Sequence, residues 1–328
     1  MTMRGLRRIA YVMATGYILF FYSERLFWTV FRPTDTVADT LITWLAYCAP
    51  AYLFLALVRR FHIRHVSAVF LAGAVYGWLI EGCLAPTLYG TEPSAPFPVS
   101  LLCTAVSWHA LISVWVGWYF VPEALRQRRH LRTLLLAVGI GVFWGLWAPF
   151  QWLETPPLVA SVPTFLGTGL LLTALLVLSY GLAGGQAAAE FRPTRLGLAL
   201  ALAVLAVFFV QHVRTLGLRP LLVLPALLIP TLAVLARYRH RQGDVLPGPA
   251  AASLVMPQAL LLLAAPLTAT VIYALARLVG PRWPPCHTVI FPATIVVGGL
   301  ALLVSLVLAL RGRPLPSVQS GKETADEQ

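Results

Sequence analysis

Apolar residues run along this chain in long blocks, each about long enough to cross a lipid bilayer as a helix, and short clusters of arginine separate them. At roughly 20 residues per crossing, the blocks predict helices near 9–31, 40–58, 66–89, 101–121 and 133–153. Five more follow near 162–183, 196–213, 220–237, 252–279 and 287–310. The expected fold class is all-α: a polytopic integral membrane protein of about ten transmembrane helices with short loops. The eighth block, LLVLPALLIPTLAVLAR, is short and carries Pro225 and Pro230, which predict a kink or a re-entrant segment. Beyond Pro316 the polar run SVQSGKETADEQ predicts disorder.

Composition agrees with this pattern. With 59% hydrophobic and 11% charged residues among 328, the chain has more apolar surface than one soluble core could bury. The formal charge of +12 comes from clusters between apolar blocks and forms no basic face, so nucleic acid is not an expected partner. The clusters act instead as topology signals. Eighteen basic residues fall in the N-terminus, alternate loops and tail, whereas the opposite loops hold Arg32, Arg214, Arg219, Arg277 and Arg282. Both termini are therefore expected in the cytoplasm, with the protein in the cell membrane. The first block runs on without a small-residue cleavage motif, so it is expected to be retained as a helix. The chain has no Asn, which excludes N-glycosylation. Its single Lys, Lys322, lies in the tail, which excludes a retinal Schiff base within a helix.

The two halves differ. Nine of the ten tryptophans precede residue 160, whereas the later blocks are mostly Leu, Ala and Val. Residues 1–160 are expected to form the working half, 161–313 an apolar scaffold, and 314–328 a disordered cytoplasmic tail. No matching segments mark an inverted repeat of the kind many transporters use.

The candidate chemistry starts at FFYSERLFW, where Glu24 and Arg25 interrupt an apolar run at a cost that is rarely accidental. Counting 1.5 Å per residue from the outer helix ends places Glu24 about 10 Å deep. The same count puts Glu81 and His109 at similar depth, with Gln151 and Glu154 slightly shallower. A desolvated Glu, a His and a nearby Arg suit general acid–base work. Glu24, Glu81 and His109 are the expected catalytic residues. Arg25, Trp28, Trp78, Trp108, Gln151 and Glu154 are the expected substrate contacts, since aromatic faces beside carboxylates hold a cation or stack on a sugar or headgroup. The spacings Gly73 to Gly77 and Gly141 to Gly145 predict close approach of the third and fifth helices, bringing Glu81 near Gln151. The proline-rich loop GTEPSAPFPVS is expected to cap the same outer mouth.

Plainer readings stand beside these. A buried Glu and His can simply bond to each other and fix packing, and tryptophans near helix ends are commonly interface anchors. Asp35, Asp39 and Glu92 read as loop or cap residues. His62, His65, His130 and His240 sit among arginines and read as headgroup contacts. No HExxH or paired-His spacing is present, so no metal is expected; no cofactor motif appears either. Cys48 reads as a buried thiol near mid-membrane, and Cys83, Cys103 and Cys286, expected toward the outer face, read as single buried thiols with a disulfide between two of them as the alternative. The expected function is a membrane-embedded enzyme acting on a lipid-linked or amphipathic substrate, with membrane lipids as partners. The alternatives are a proton-coupled transporter of a small organic cation or metabolite, and a structural assembly partner.

Overall fold

The computed structural model describes residues 3–32, 34–63, 65–238 and 256–311. The tail at 314–328 with Lys322, the loop residues Arg239, His240 and Arg241, and the start of the ninth expected crossing lie outside the described residues. Among the described residues the chain is helical without strands. Helix α1 is Met3–Phe20, continued by a wide π-type turn at Phe21–Arg25; α2 is Val37–Arg60; α3 is Val66–Leu79, continued by a π turn at Ile80–Leu84. Helix α4 is Cys103–Phe120, extended by Val121–Arg126; α5 is His130–Trp147, extended by Ala148–Leu153; α6 is Val162–Ala183. The short α7, Gly185–Glu190, precedes α8, Arg195–Leu216, and α9, Arg219–Tyr238; α10 is Ala264–Val279 and α11 is His287–Arg311.

Nine of these segments, α2 to α6 and α8 to α11 with their extensions, are long and apolar enough to span a membrane. The protein is an all-α polytopic membrane protein. Helix α1 is not among the nine, because its uncharged stretch between Arg8 and Glu24 is shorter than a full crossing. It also stops sooner than its apolar run suggests. The helix ends at Arg25 rather than Phe31, so Trp28 stands on irregular backbone and Glu24 and Arg25 occupy the last helical turn. Pro225 and Pro230 leave α9 one helix of 20 residues, neither broken nor re-entrant. Each proline withholds an N–H from the carbonyl four residues earlier, Leu221 O and Ala226 O, a loss that membrane helices tolerate.

Local chemistry sets several boundaries. Thr36 and Asp39 form a capping box at the start of α2. Ser161 and Thr194 accept the backbone N–H of Thr164 and Gly197 as N-caps of α6 and α8. All four cysteines are free thiols.

The helices alternate in direction, and contacts gather their junctions at two ends. At one end Arg7 pairs with Glu190 at 3.5 Å and Arg59 donates to Ala188 O at 2.8 Å. At the other Arg32 pairs with Glu154, Arg219 donates to Tyr89 O at 2.8 Å, and the Phe150 and His287 rings meet at 5.1 Å. Helix α1 packs on α2, α4 and α6, while α3 packs on α4, α9 and α11. Helix α3 is the most enclosed span, 89% buried over its apolar window, and α8 the least, at 11%. Helix α8 therefore belongs to the perimeter. Buried hydroxyls tie the helices together: Tyr17 donates to Leu172 O at 3.1 Å and Tyr180 to Gly117 O at 2.6 Å.

The glycine pairs choose other partners than expected. Gly73 and Gly77 face Ala110 and Ala105 of α4, whereas Gly141 and Gly145 face Ala265 and Ala269 of α10. Small spacings announce close approach without naming the neighbour. A Cβ on Gly77 would overlap the Ala105 carbonyl and come within 3.0 Å of His109 Cβ. Gly77→Ala is expected to push α3 from α4 and destabilise the protein by about 1–3 kcal/mol. Gly139→Ala, at a position with nothing within 4 Å of an added Cβ, should be close to neutral. Thermal unfolding in detergent compares the two.

Candidate functional site

Two single π turns, at Phe21–Arg25 and Ile80–Leu84, and the π-type helix α4 bring the polar residues together. Such turns replace i→i+4 bonds with i→i+5 bonds, seen in Leu26 N–H to Phe21 O at 2.9 Å, Ala85 N–H to Ile80 O at 2.9 Å and Ser107 N–H to Leu102 O at 3.1 Å. They concentrate at functional positions in helices generally. Here they carry Ser23, Glu24 and Arg25 on α1, Glu81 on α3, and His109 and Ser113 on α4.

Glu81 and His109 meet directly. His109 Nε2 lies 2.7 Å from Glu81 Oε1, and the Thr87 hydroxyl donates to Glu81 Oε2. On its other side His109 Nδ1 lies 3.0 Å from Ser23 Oγ, which donates to Leu19 O at 2.6 Å and sits 2.8 Å from Ser113 Oγ. Ser23 has one proton to give. With that proton on the Leu19 carbonyl, Ser23 accepts from Nδ1–H, and one further proton is shared between Nε2 and Glu81. His109 and Glu81 are 2% and 7% exposed, so the pair is sealed from solvent.

Glu24 and Arg25 face a different space. A cavity of about 200 Å³ opens between α1, α2 and their connection. Glu24, Arg25, Trp28, Val30 and Arg32 line it from the first side, Asp35, Asp39, Thr40 and Thr43 from the second, and Leu158 from the segment after α5. Glu24 Oε1 accepts the Tyr47 hydroxyl at 2.6 Å. The Arg25 side chain, 9% exposed, lies over the Phe20 and Phe31 rings at 5.1 and 5.0 Å, and its Nε has no hydrogen-bond partner. Arg32 is already engaged: it pairs with Glu154 at 3.0 Å and lies over Trp28 at 5.5 Å.

No protein-family model, curated protein or solved structure matches the chain.

The remaining expected contacts separate from the cavity. Gln151 is buried and holds the irregular chain after α1, donating from Nε2 to Val30 O at 3.1 Å while Oε1 accepts Val30 N–H at 3.4 Å. Its amide bonds Val30, whereas Glu81 bonds His109 and Thr87, and α3 and α5 are not the glycine-mediated pair. Gln151→Ala is expected to cost about 1–3 kcal/mol, the penalty of leaving both Val30 backbone groups unsatisfied, and to loosen the cavity wall; limited proteolysis near Val30 reports it. Glu154 stands at the rim, held by Arg32. Trp78 is core, with its indole donating to Leu101 O at 3.1 Å. Trp108 stacks on Phe27 at 4.0 Å in an aromatic cluster with Trp147. The proline-rich loop does not line the cavity; its Phe97 ring lies under Arg219 of α9, and the Thr87 turn before it closes over Glu81.

Sequence reasoning missed Tyr47, Ser113 and the cavity face of Asp35 and Asp39. The two aspartates do serve as turn and cap residues, with Arg32 N–H donating to Asp35 Oδ2 at 2.9 Å. Helix α2 shows no charge near Tyr47, so nothing in its composition pointed to the site. Ser23 carried a signal, being a hydroxyl beside two charges in an apolar run. Among the described residues no group of His, Cys, Asp and Glu is arranged to hold a metal ion.

Proposed function

We propose that the protein is a membrane-embedded enzyme acting on the polar headgroup of a lipid-linked or other amphipathic substrate by general acid–base chemistry. The observation that carries this reading is the cavity between α1 and α2, where Glu24 and Arg25 stand side by side with Trp28 at one end of an apolar bundle. Helix α2 interleaves the cavity residues Thr40 and Thr43 with exposed Leu41, Ile42 and Leu45. A headgroup can enter such a pocket while its tails stay in lipid. The arginine asymmetry supports a cell-membrane protein with both termini cytoplasmic, and the cavity then opens on the outer side.

In this reading Glu24 takes the proton from a water or hydroxyl as that oxygen attacks the headgroup, then returns it to the departing oxygen. Tyr47 fixes one Glu24 oxygen so that the other points at substrate, and Arg25 orients the headgroup. Glu81 and His109 act as positioning residues. They hold Ser23, and through it the turn that presents Glu24. A carrier of organic cations fits less well: a transporter site is expected near the bilayer midplane between related repeats, and a buried arginine in the lining opposes a cation.

The test is to incubate the purified protein in nanodiscs with a panel of phospholipids and lipid-linked diphosphates and to follow headgroup conversion by mass spectrometry. Conversion that disappears in Glu24→Gln supports the enzyme. Proton-gradient-driven uptake into proteoliposomes with no product overturns it.

A further inference from the structure

We infer that the cavity between α1 and α2 is built for a zwitterionic headgroup, with an anionic oxygen group on Arg25 and an ammonium held by the carboxylates that share its lining. This rests on the same cavity as the proposed enzyme but concerns what binds there, and binding is measurable without turnover.

The anionic half follows from Arg25. An arginine that is nine-tenths buried, with an unpartnered Nε and two aromatic rings stacked on it, is a cation held in place at considerable desolvation cost. Glu24 and Asp35 act on it electrostatically from nearby, but no direct ion pair joins either of them to Arg25 among the described residues, so its guanidinium is left for a ligand. Guanidinium groups bind carboxylates and phosphates through forked hydrogen bonds, so an anionic oxygen group is the matching ligand.

The cationic half follows from the acids. Asp35 and Asp39 each spend Oδ2 on local bonds, to Arg32 N–H and to the Thr36 N–H and hydroxyl. Glu24 spends Oε1 on Tyr47. That leaves one oxygen of each carboxylate without a hydrogen bond among the described residues, all three in one lining. The opposing charges are Arg25 and Arg32, and Arg32 is paired with Glu154. A purely anionic ligand would meet three acids, and a purely cationic one would meet Arg25. A ligand with both charges a few bonds apart meets neither conflict.

The probe is dihexanoylphosphatidylethanolamine, added to the protein in a neutral maltoside detergent while the melting temperature is followed. The controls are dihexanoylphosphatidylglycerol, which lacks the ammonium, and free O-phosphoethanolamine, which lacks the tails. The ethanolamine lipid is expected to raise the melting temperature by several degrees at ~100-fold excess over its Kd, and the glycerol lipid by much less. Stabilisation by free phosphoethanolamine at equal concentration identifies a soluble zwitterion as the ligand; stabilisation by the lipid alone identifies a membrane headgroup. Arg25→Gln is expected to weaken the response about tenfold or more in apparent affinity, and Asp39→Asn to erase the preference for ethanolamine over glycerol. Equal shifts with both lipids in the unmodified protein, or no shift with any of the three, overturn the inference without reference to a variant. Zwitterion binding without headgroup conversion would sink the proposed reaction and leave this site standing. Conversion of a substrate with no ammonium would do the reverse.

Discussion

Glu81→Leu is expected to lower the stability of the protein by about 3–5 kcal/mol, the cost of removing one partner from a buried charged or proton-sharing pair. His109 would then keep Nε2 in an apolar enclosure with no acceptor, and the Thr87 hydroxyl would lose its partner as well. His109→Leu is expected to cost a similar amount, because a sealed carboxylate is left behind. The double variant should recover a large part of the loss, since a matched apolar pair removes both desolvated groups at once. Ser23 keeps the Leu19 carbonyl and Ser113 in that double variant, so the turn on α1 need not unravel. Thermal unfolding of the two single variants and the double in detergent, read as a double-mutant cycle, gives the coupling. Single losses below about 0.5 kcal/mol, the range of ordinary surface changes, would show that the pair carries no structural weight.

That pair also illustrates what can be read before any coordinates. The apolar blocks predict ten crossings, of which nine helices are long and apolar enough to span a membrane and the first falls short; the local caps at Thr36, Ser161 and Thr194 are of the kind that residue type alone announces. The depth count brought Glu81 and His109 to one level. Depth constrains a residue along the bundle axis only, however, and leaves its direction around the axis open. Glu81 and His109 meet because Gly77 lets α3 approach α4, whereas Gln151, at a similar level on α5, turns toward the Val30 backbone instead. The cavity was the least legible feature. It depends on α1 ending six residues before its apolar run does, so that Trp28 to Arg32 fold back as a wall and the Asp35 to Thr43 stretch faces them. An apolar run gives no warning of this, because Leu26 and Phe27 are as suited to a buried turn as to a helix.

Glu24→Gln separates the cavity from the network behind it. The substitution keeps shape and keeps an oxygen for the Tyr47 hydroxyl, so the melting temperature should stay near that of the parent. It removes the one carboxylate that both bonds Tyr47 and faces the cavity, so headgroup conversion should fall by roughly 10²–10⁴, the contribution of a positioned general acid–base group. Tyr47→Phe should give a smaller loss, since the carboxylate remains but is no longer aimed. Arg25→Lys should act mainly on KM, because a lysine keeps the charge and loses the planar fork. These variants and the Glu81 and His109 series predict opposite patterns. The cavity variants lose turnover with stability intact, and the pair variants lose stability first. A Glu24→Gln protein as unstable as Glu81→Leu would place Glu24 in the structural network, and the proposed reaction would lose the base it rests on.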